Sequence, residues 1–146
     1  MFIVRPAFVL ACAGALAVAA CGNGSSSAST TTPTPVPADA TINEPFSTTL
    51  AAGGTIFYSF SIAQYGNVAV TVTGLSGADV PEDVTLSIGI GRPSGTACTV
   101  QNGVEAAPGQ SAQLTGQYGP GVFCVRITEL GKIASPATVS AVVAHS

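Results

Sequence analysis

Charge is the scarcest resource of this chain: only 8% of its 146 residues are Asp, Glu, Lys or Arg, against roughly 25% in ordinary soluble proteins. So little charge argues against an acidic disordered protein and against a coiled coil, both of which depend on dense charged faces. Lys and Arg number 4 against 7 Asp and Glu, so no basic surface exists to displace counterions from a phosphate backbone, and nucleic acid is not an expected partner. There is no Trp and a single His, His145, one residue from the end. A hydrolytic triad needs a preorganised base, and a chain terminus is a poor place for one; His145 is expected to be solvent-exposed. Zinc chemistry lacks its three or four converging ligands. Neither a P-loop nor a GxGxxG following a strand occurs. These absences argue against an enzyme and against a bound cofactor.

What the chain has in quantity is apolar residues, 47% of the total, and they are unevenly placed. Met1 and Arg5 carry positive charge ahead of an unbroken small and apolar run, Ala7 to Ala20. This is the layout of a secretion signal. Fourteen helical residues span about 21 Å, short of the roughly 30 Å hydrocarbon core, so a permanent spanning helix is disfavoured. The closing Val18-Ala19-Ala20-Cys21 resembles the lipobox of bacterial lipoproteins. That resemblance implies cleavage before Cys21, a diacylglycerol thioether on its sulfur and palmitate on the new amine. Two or three acyl chains hold a protein on a membrane firmly without a spanning helix. With Arg5 removed, three cations face seven acids, a mature charge of −4, so net attraction to anionic lipid contributes nothing to the anchor. Gly22 after Cys21 resembles the default outer-membrane sorting pattern, which implies a site at the outer membrane, facing the periplasm or the cell surface.

Residues 22–41 contain four Ser, five Thr and three Pro, with Val36 the one large aliphatic side chain. Such a segment cannot build a core and reads as a tether with an r.m.s. reach of roughly 25 Å if flexible. From Ile42 the hydrophobic period becomes two. Phe46 to Leu50, Ile56 to Ile62, Val68 to Val72 and Val84 to Ile90 alternate apolar with small polar residues. Thr96 to Val100, Ser111 to Thr115, Val122 to Thr128 and Thr138 to Ala144 follow as further strand candidates between Gly-, Pro- and Asn-containing turns. About eight short antiparallel strands at such spacing predict a single all-β sandwich over 42–146, of jelly-roll or immunoglobulin-like type. The organisation is thus signal peptide 1–20, lipidated Cys21 and linker 21–41, and sandwich 42–146.

Removal of Cys12 and acylation of Cys21 leave Cys98 and Cys124, an even pair in an exported chain on two different strand candidates. They are expected to form a disulfide. No CxxC spacing suggests thiol exchange instead. Asp79, Glu82 and Asp83 form the one carboxylate cluster, in a loop stiffened by Pro81. It is a weak calcium candidate: the ligands lack the tight DxDxD alternation, and a solvated acidic loop is the expectation. Glu44, Glu105 and Glu129 read as isolated carboxylates, and Arg92 and Arg126 as solvated or ion-paired residues.

The run Phe46-Ser-Thr-Thr-Leu50, the Ala-Ala-Gly-Gly turn, Ile56-Phe-Tyr-Ser-Phe60 and Gly66-Asn-Val-Ala-Val-Thr-Val72, with Gly121-Val-Phe-Cys-Val-Arg-Ile127 later, resemble the bacterial pre-peptidase C-terminal domains. That resemblance implies a compact β-sandwich without catalytic residues of its own. The functional expectation is a lipid-anchored envelope protein whose sandwich is a binding or interaction module for an envelope protein or glycan. The alternatives are a purely structural envelope component or an accessory domain to a secreted peptidase.

Overall fold

The computed structural model describes residues 40–146. The expected signal peptide, the expected lipidation site Cys21 and nearly all of the expected linker lie outside the described residues. Eight strands follow in chain order: β1 (Ile42–Leu50), β2 (Thr55–Ile62), β3 (Gly66–Ser76), β4 (Leu86–Ser94), β5 (Ala97–Ala106), β6 (Leu114–Tyr118), β7 (Gly121–Glu129) and β8 (Ala137–His145). They form two four-stranded antiparallel sheets, ordered β1-β8-β3-β6 and β2-β7-β4-β5. The sandwich expected from the period of two is therefore present.

The pairing is nested: β4 with β5, β3 with β6, β2 with β7 and β1 with β8. A long two-stranded ribbon rolled up on itself gives this order, which is the jelly-roll alternative of the two topologies. The nesting has a direct consequence for the termini. Ile42 lies opposite His145 in the β1–β8 register, so both ends of the domain are tied into one ladder. One end of the sandwich, here the entry end, holds the start of β1 and the finish of β8; the other, the far end, carries the β1–β2 turn and the β3–β4, β5–β6 and β7–β8 loops.

Alternation supplies the core. Val68, Val70 and Val72 of β3 and Val139, Ala141 and Val143 of β8 meet Leu86, Ile88, Ile90, Val125 and Ile127 from the opposite sheet, all fully or almost fully buried. A β-bulge in β3 between Val72 and Gly74 resets the phase, so that Leu75 pairs with Val139 and again points inward. Without the inserted residue Leu75 would face solvent. Leu75 there also packs on a smaller cluster, Val84, Ile133 and Ala137, which plugs the far end.

Most strand boundaries differ from the sequence reading: β1 starts four residues earlier than expected, β3 and β4 run four residues further, and β5 runs six further. Val84 is buried in the loop before β4 rather than in the strand. The sixth strand begins at Leu114, three residues later than expected, because Gln113 takes over the edge of β3 in another way. Its Oε1 accepts from the Val72 N–H at 2.7 Å and its Nε2 donates to the Val72 carbonyl at 3.3 Å. A side-chain carboxamide thus completes a ladder that a strand residue would otherwise continue.

The expected disulfide is formed: Cys98 and Cys124 are bonded, with Cα atoms 5.9 Å apart. These residues belong to β5 and β7, which are separated by β4, so β5 must cross to reach β7. A register shift beside Gly91 bends β5 over the outer face of its sheet. Glycines clear the path: a Cβ on Gly89 would lie 2.6 Å from Val100 Cγ1, and one on Gly91 would lie 1.8 Å from the Thr99 carbonyl oxygen.

Candidate functional site

Among the described residues β1 and β2 are each paired on one side only, β1 with β8 and β2 with β7. The Ala51–Gly54 turn joins them, closed by the Gly54 N–H donating to the Ala51 carbonyl at 2.9 Å. The two free edges therefore run along the same side of the sandwich. Between them lies a groove of about 500 Å³ lined by Phe46, Ser47 and Thr48 of β1 and by Thr55, Ile56, Phe57 and Tyr58 of β2. Phe46 and Tyr58 stack at 4.5 Å between centroids and 3° between planes. They close the sandwich at mid-strand, and the exposed Thr48 leaves the groove open beside them. Phe57 stands on the rim, on the outer face of its sheet and largely exposed.

A half-buried polar cluster holds this floor in place. Tyr58 Oη donates to Glu44 Oε2 at 2.6 Å, and His145 Nε2 lies 2.8 Å from Glu44 Oε1. The Tyr58 hydroxyl, more than any other group, holds the Glu44 carboxyl below its ordinary range; burial opposes this and His145 assists it. The same hydrogen bond, with burial adding to it, raises the Tyr58 phenol above its usual value. A carboxylate thus fixes the tyrosine ring against Phe46 and the end of β8 against β1.

His145 corrects the expectation of an exposed tail residue. It is the last residue of β8, 3% exposed, with its ring 5.6 Å from that of Phe60. The physical reason is the β1–β8 ladder, which a reading of one chain end in isolation does not contain. The Glu44–His145 pair has the carboxylate–imidazole half of a triad, but Nδ1 is buried without a hydrogen-bond partner among the described residues. Catalysis would need a nucleophile's hydroxyl or thiol at that nitrogen. The cluster is built to position strands.

Glu129 is likewise not isolated. Only 3% exposed at the end of β7, it accepts from the backbone N–H groups of Gly53 at 2.6 Å, Gly131 at 2.9 Å and Ile133 at 3.1 Å, and also from that of Lys132. Burial alone would raise its carboxyl, but these donors together hold it below the ordinary value. Gly53 and Gly131 both have positive φ, 61° and 77°, which lets their N–H groups turn toward the carboxylate. One side chain therefore binds the β1–β2 turn to the β7–β8 loop.

The remaining sequence candidates are dispersed. Asp79 Oδ2 accepts from Ser135 Oγ at 2.7 Å, but among the described residues no three His, Cys, Asp or Glu side chains are placed to hold a metal. Asp79, Glu82 and Asp83 follow one another along an exposed loop, and nothing folds their carboxylates inward onto one point. Glu105 is exposed on β5. Arg92 lies over the Phe123 ring at 4.5 Å from its centroid, and Arg126 is half-buried on the outer face of its sheet, opposite Phe57.

No family model matches the chain. No curated protein matches it either. The similarity to pre-peptidase C-terminal domains is thus one of strand pattern, unaccompanied by a family match. Among solved structures, the chain is similar to the periplasmic lysozyme inhibitor PliG of Aeromonas hydrophila, an inhibitor of g-type lysozyme. That match has 11% identity and a TM-score of 0.41, and covers 71% of this chain and 86% of that one. The Salmonella Typhimurium PliG is similar at 14% identity and a TM-score of 0.44, covering 71% and 87%. At such distance the function of this chain has to be read from its own residues.

The groove was not legible from the sequence. Phe46, Phe57 and Tyr58 read as ordinary members of alternating strands, and the pairing of Glu44 with Tyr58 and His145 spans 14 and 101 residues. The available signal was a carboxylate on a strand otherwise free of charge, a residue type that rarely lies beside a core without a partner.

Proposed function

We propose that the chain is an exported lipoprotein, anchored through Cys21, whose jelly-roll domain is a non-catalytic interaction module of the cell envelope. The observation that carries this reading is the groove between β1 and β2. Two free strand edges flank a floor of aromatic rings, and an extended polypeptide segment fits that geometry. Backbone pairing along one edge supplies affinity, and alternate side chains drop into the groove beside Phe46, Ile56 and Tyr58. Phe57 adds an exposed aromatic of the kind that anchors protein contacts. Ser47, Thr48 and Thr55 offer hydroxyls but no charge, so the groove suits a neutral, partly apolar segment. The Cys98–Cys124 bridge supports an address outside the reducing cytoplasm.

The test is site-specific photocrosslinking in intact envelopes. A crosslinking side chain at Thr48 or Phe57 is expected to give a discrete adduct with one protein, and one at Leu130, on the far end, is not. Identical adduct patterns from all three positions, or none from the groove, would overturn the assignment. Capture of glycan instead of protein would redirect it to carbohydrate binding. Anchoring is tested separately: labelled palmitate should enter the wild-type chain and be absent from Cys21→Ser.

A further inference from the structure

The two ends of the sandwich differ in kind. Of the six Asp and Glu residues among 40–146, Asp79, Glu82, Asp83 and Glu129 lie in or beside far-end loops, and Glu105 is one residue from the far end of β5. The sixth, Glu44, is engaged by Tyr58 and His145. The entry end therefore presents no unengaged Asp or Glu side chain among the described residues. Its cation is Arg92, exposed near the finish of β4 over the Phe123 ring, with Tyr118 packed edge-on beneath at 5.1 Å. The one ion pair among the described residues is His145 with Glu44, so Arg92 has no carboxylate partner.

Large exposed apolar side chains show the opposite bias. Five exist among the described residues, and three of them, Ile42 at 50% exposure, Tyr65 at 69% and Val122 at 52%, stand at the entry end. They occupy the first residue of β1, the β2–β3 turn and the second residue of β7. Exposed aliphatic and tyrosine side chains at the same end as a lone arginine are the composition of a surface that meets lipid headgroups, where an amphipathic ring lies with one end apolar and the other wet. The chain toward Cys21 also leaves the domain from this end, at Ile42.

We propose that the entry end of the jelly roll is a lipid-facing surface, seating the domain end-on upon phospholipid headgroups with Tyr65 and Val122 at the interface and Arg92 against phosphate. This rests on the anchoring at Cys21. Seated in this way, the domain holds its acidic far end away from an anionic surface and leaves the β1–β2 groove open at the side.

The chain has no Trp, so an introduced one is the sole reporter. The lipidated chain, reconstituted in vesicles of phosphatidylglycerol and phosphatidylcholine with brominated acyl chains, is compared as Tyr65→Trp, Phe57→Trp and Leu130→Trp. Tyr65→Trp is expected to be quenched and blue-shifted, with the other two unaffected. Adding Arg92→Glu to Tyr65→Trp should lower the seated population about fivefold or more, the effect of losing one cation near an anionic surface. Lipid without phosphatidylglycerol should mimic that loss. Equal quenching at all three positions, no quenching at position 65, or a blue shift there without quenching, which would mean that protein covers this end, overturns the proposal. If Cys21 carries no lipid, the anchoring and the seating fall together; if it does and position 65 is unquenched, only the seating falls.

Discussion

Replacing Glu129 by Ala should be among the most damaging single substitutions in the domain outside the hydrophobic core. The side chain accepts four backbone N–H donors from two loops. Three of the donors belong to Gly53, Gly131 and Lys132, which are exposed, so water can replace the carboxylate there at a modest loss. Ile133 is buried, and its orphaned N–H costs about 1–3 kcal/mol. Hydrogen bonds to a charged acceptor are stronger than neutral ones, and the sum is about 3 kcal/mol. Against a typical domain stability of about 5–15 kcal/mol, that is a large fraction. In urea, with a slope of roughly 1.5 kcal/mol per molar for a domain of this size, the unfolding midpoint should fall by about 2 M. Glu105→Ala, on an exposed carboxylate, is the control and should leave the midpoint within experimental error. The ionic contribution has a defined sign. Because the folded-state pKa lies below the ordinary 4.5, the stabilisation is complete above that value and disappears as pH falls through the folded value. Glu129→Gln should flatten this acid limb. A midpoint no lower in Glu129→Ala than in Glu105→Ala would refute the account of the carboxylate as a loop staple.

Other outcomes follow from the same geometry. Opening the Cys98–Cys124 bridge by Cys98→Ala with Cys124→Ala should cost about 3.5 kcal/mol on the chain-entropy estimate for the 26-residue separation, read as a lower thermal midpoint that no longer responds to reductant. Gly91→Ala forces a Cβ against the Thr99 carbonyl and should destabilise by about 3 kcal/mol or more, at the upper end of overpacking costs; an unchanged denaturation midpoint would show that β5 does not cross there. Tyr58→Phe should move the Glu44 carboxyl back up toward 4.5 and, on the wild-type side, the missing late step of a tyrosine ultraviolet titration should be the one raised above 10.0.

Several decisive features were written in the sequence because they depend on neighbours a few residues away. The period-two runs from Phe46 onward identify strands, since alternate side chains of a strand meet opposite environments whatever the topology. The turns at Ala51–Gly54 and near Gly66 follow from glycine content, and the pairing of Cys98 with Cys124 from elimination of the other two cysteines. The proposed lipid anchor rests on sequence alone, on the resemblance of Val18-Ala19-Ala20-Cys21 to a lipobox.

Only the fold decided what depends on strands distant in the chain. The nesting of β1 on β8 brought His145 from an expected frayed tail into a ladder beside Glu44, 101 residues away. The same rolling converted Glu129 from an isolated carboxylate into an acceptor for two loops, and set two free edges side by side to make the groove. Net charge offers the sharpest contrast. With the expected signal peptide removed, the sequence sums to −4 and predicts indifference to anionic lipid, but a sum has no direction. By antiparallel pairing the jelly roll sends the acidic loops to one end and Arg92 to the other, because alternate strand ends must lie together, and that separation exists only in three dimensions.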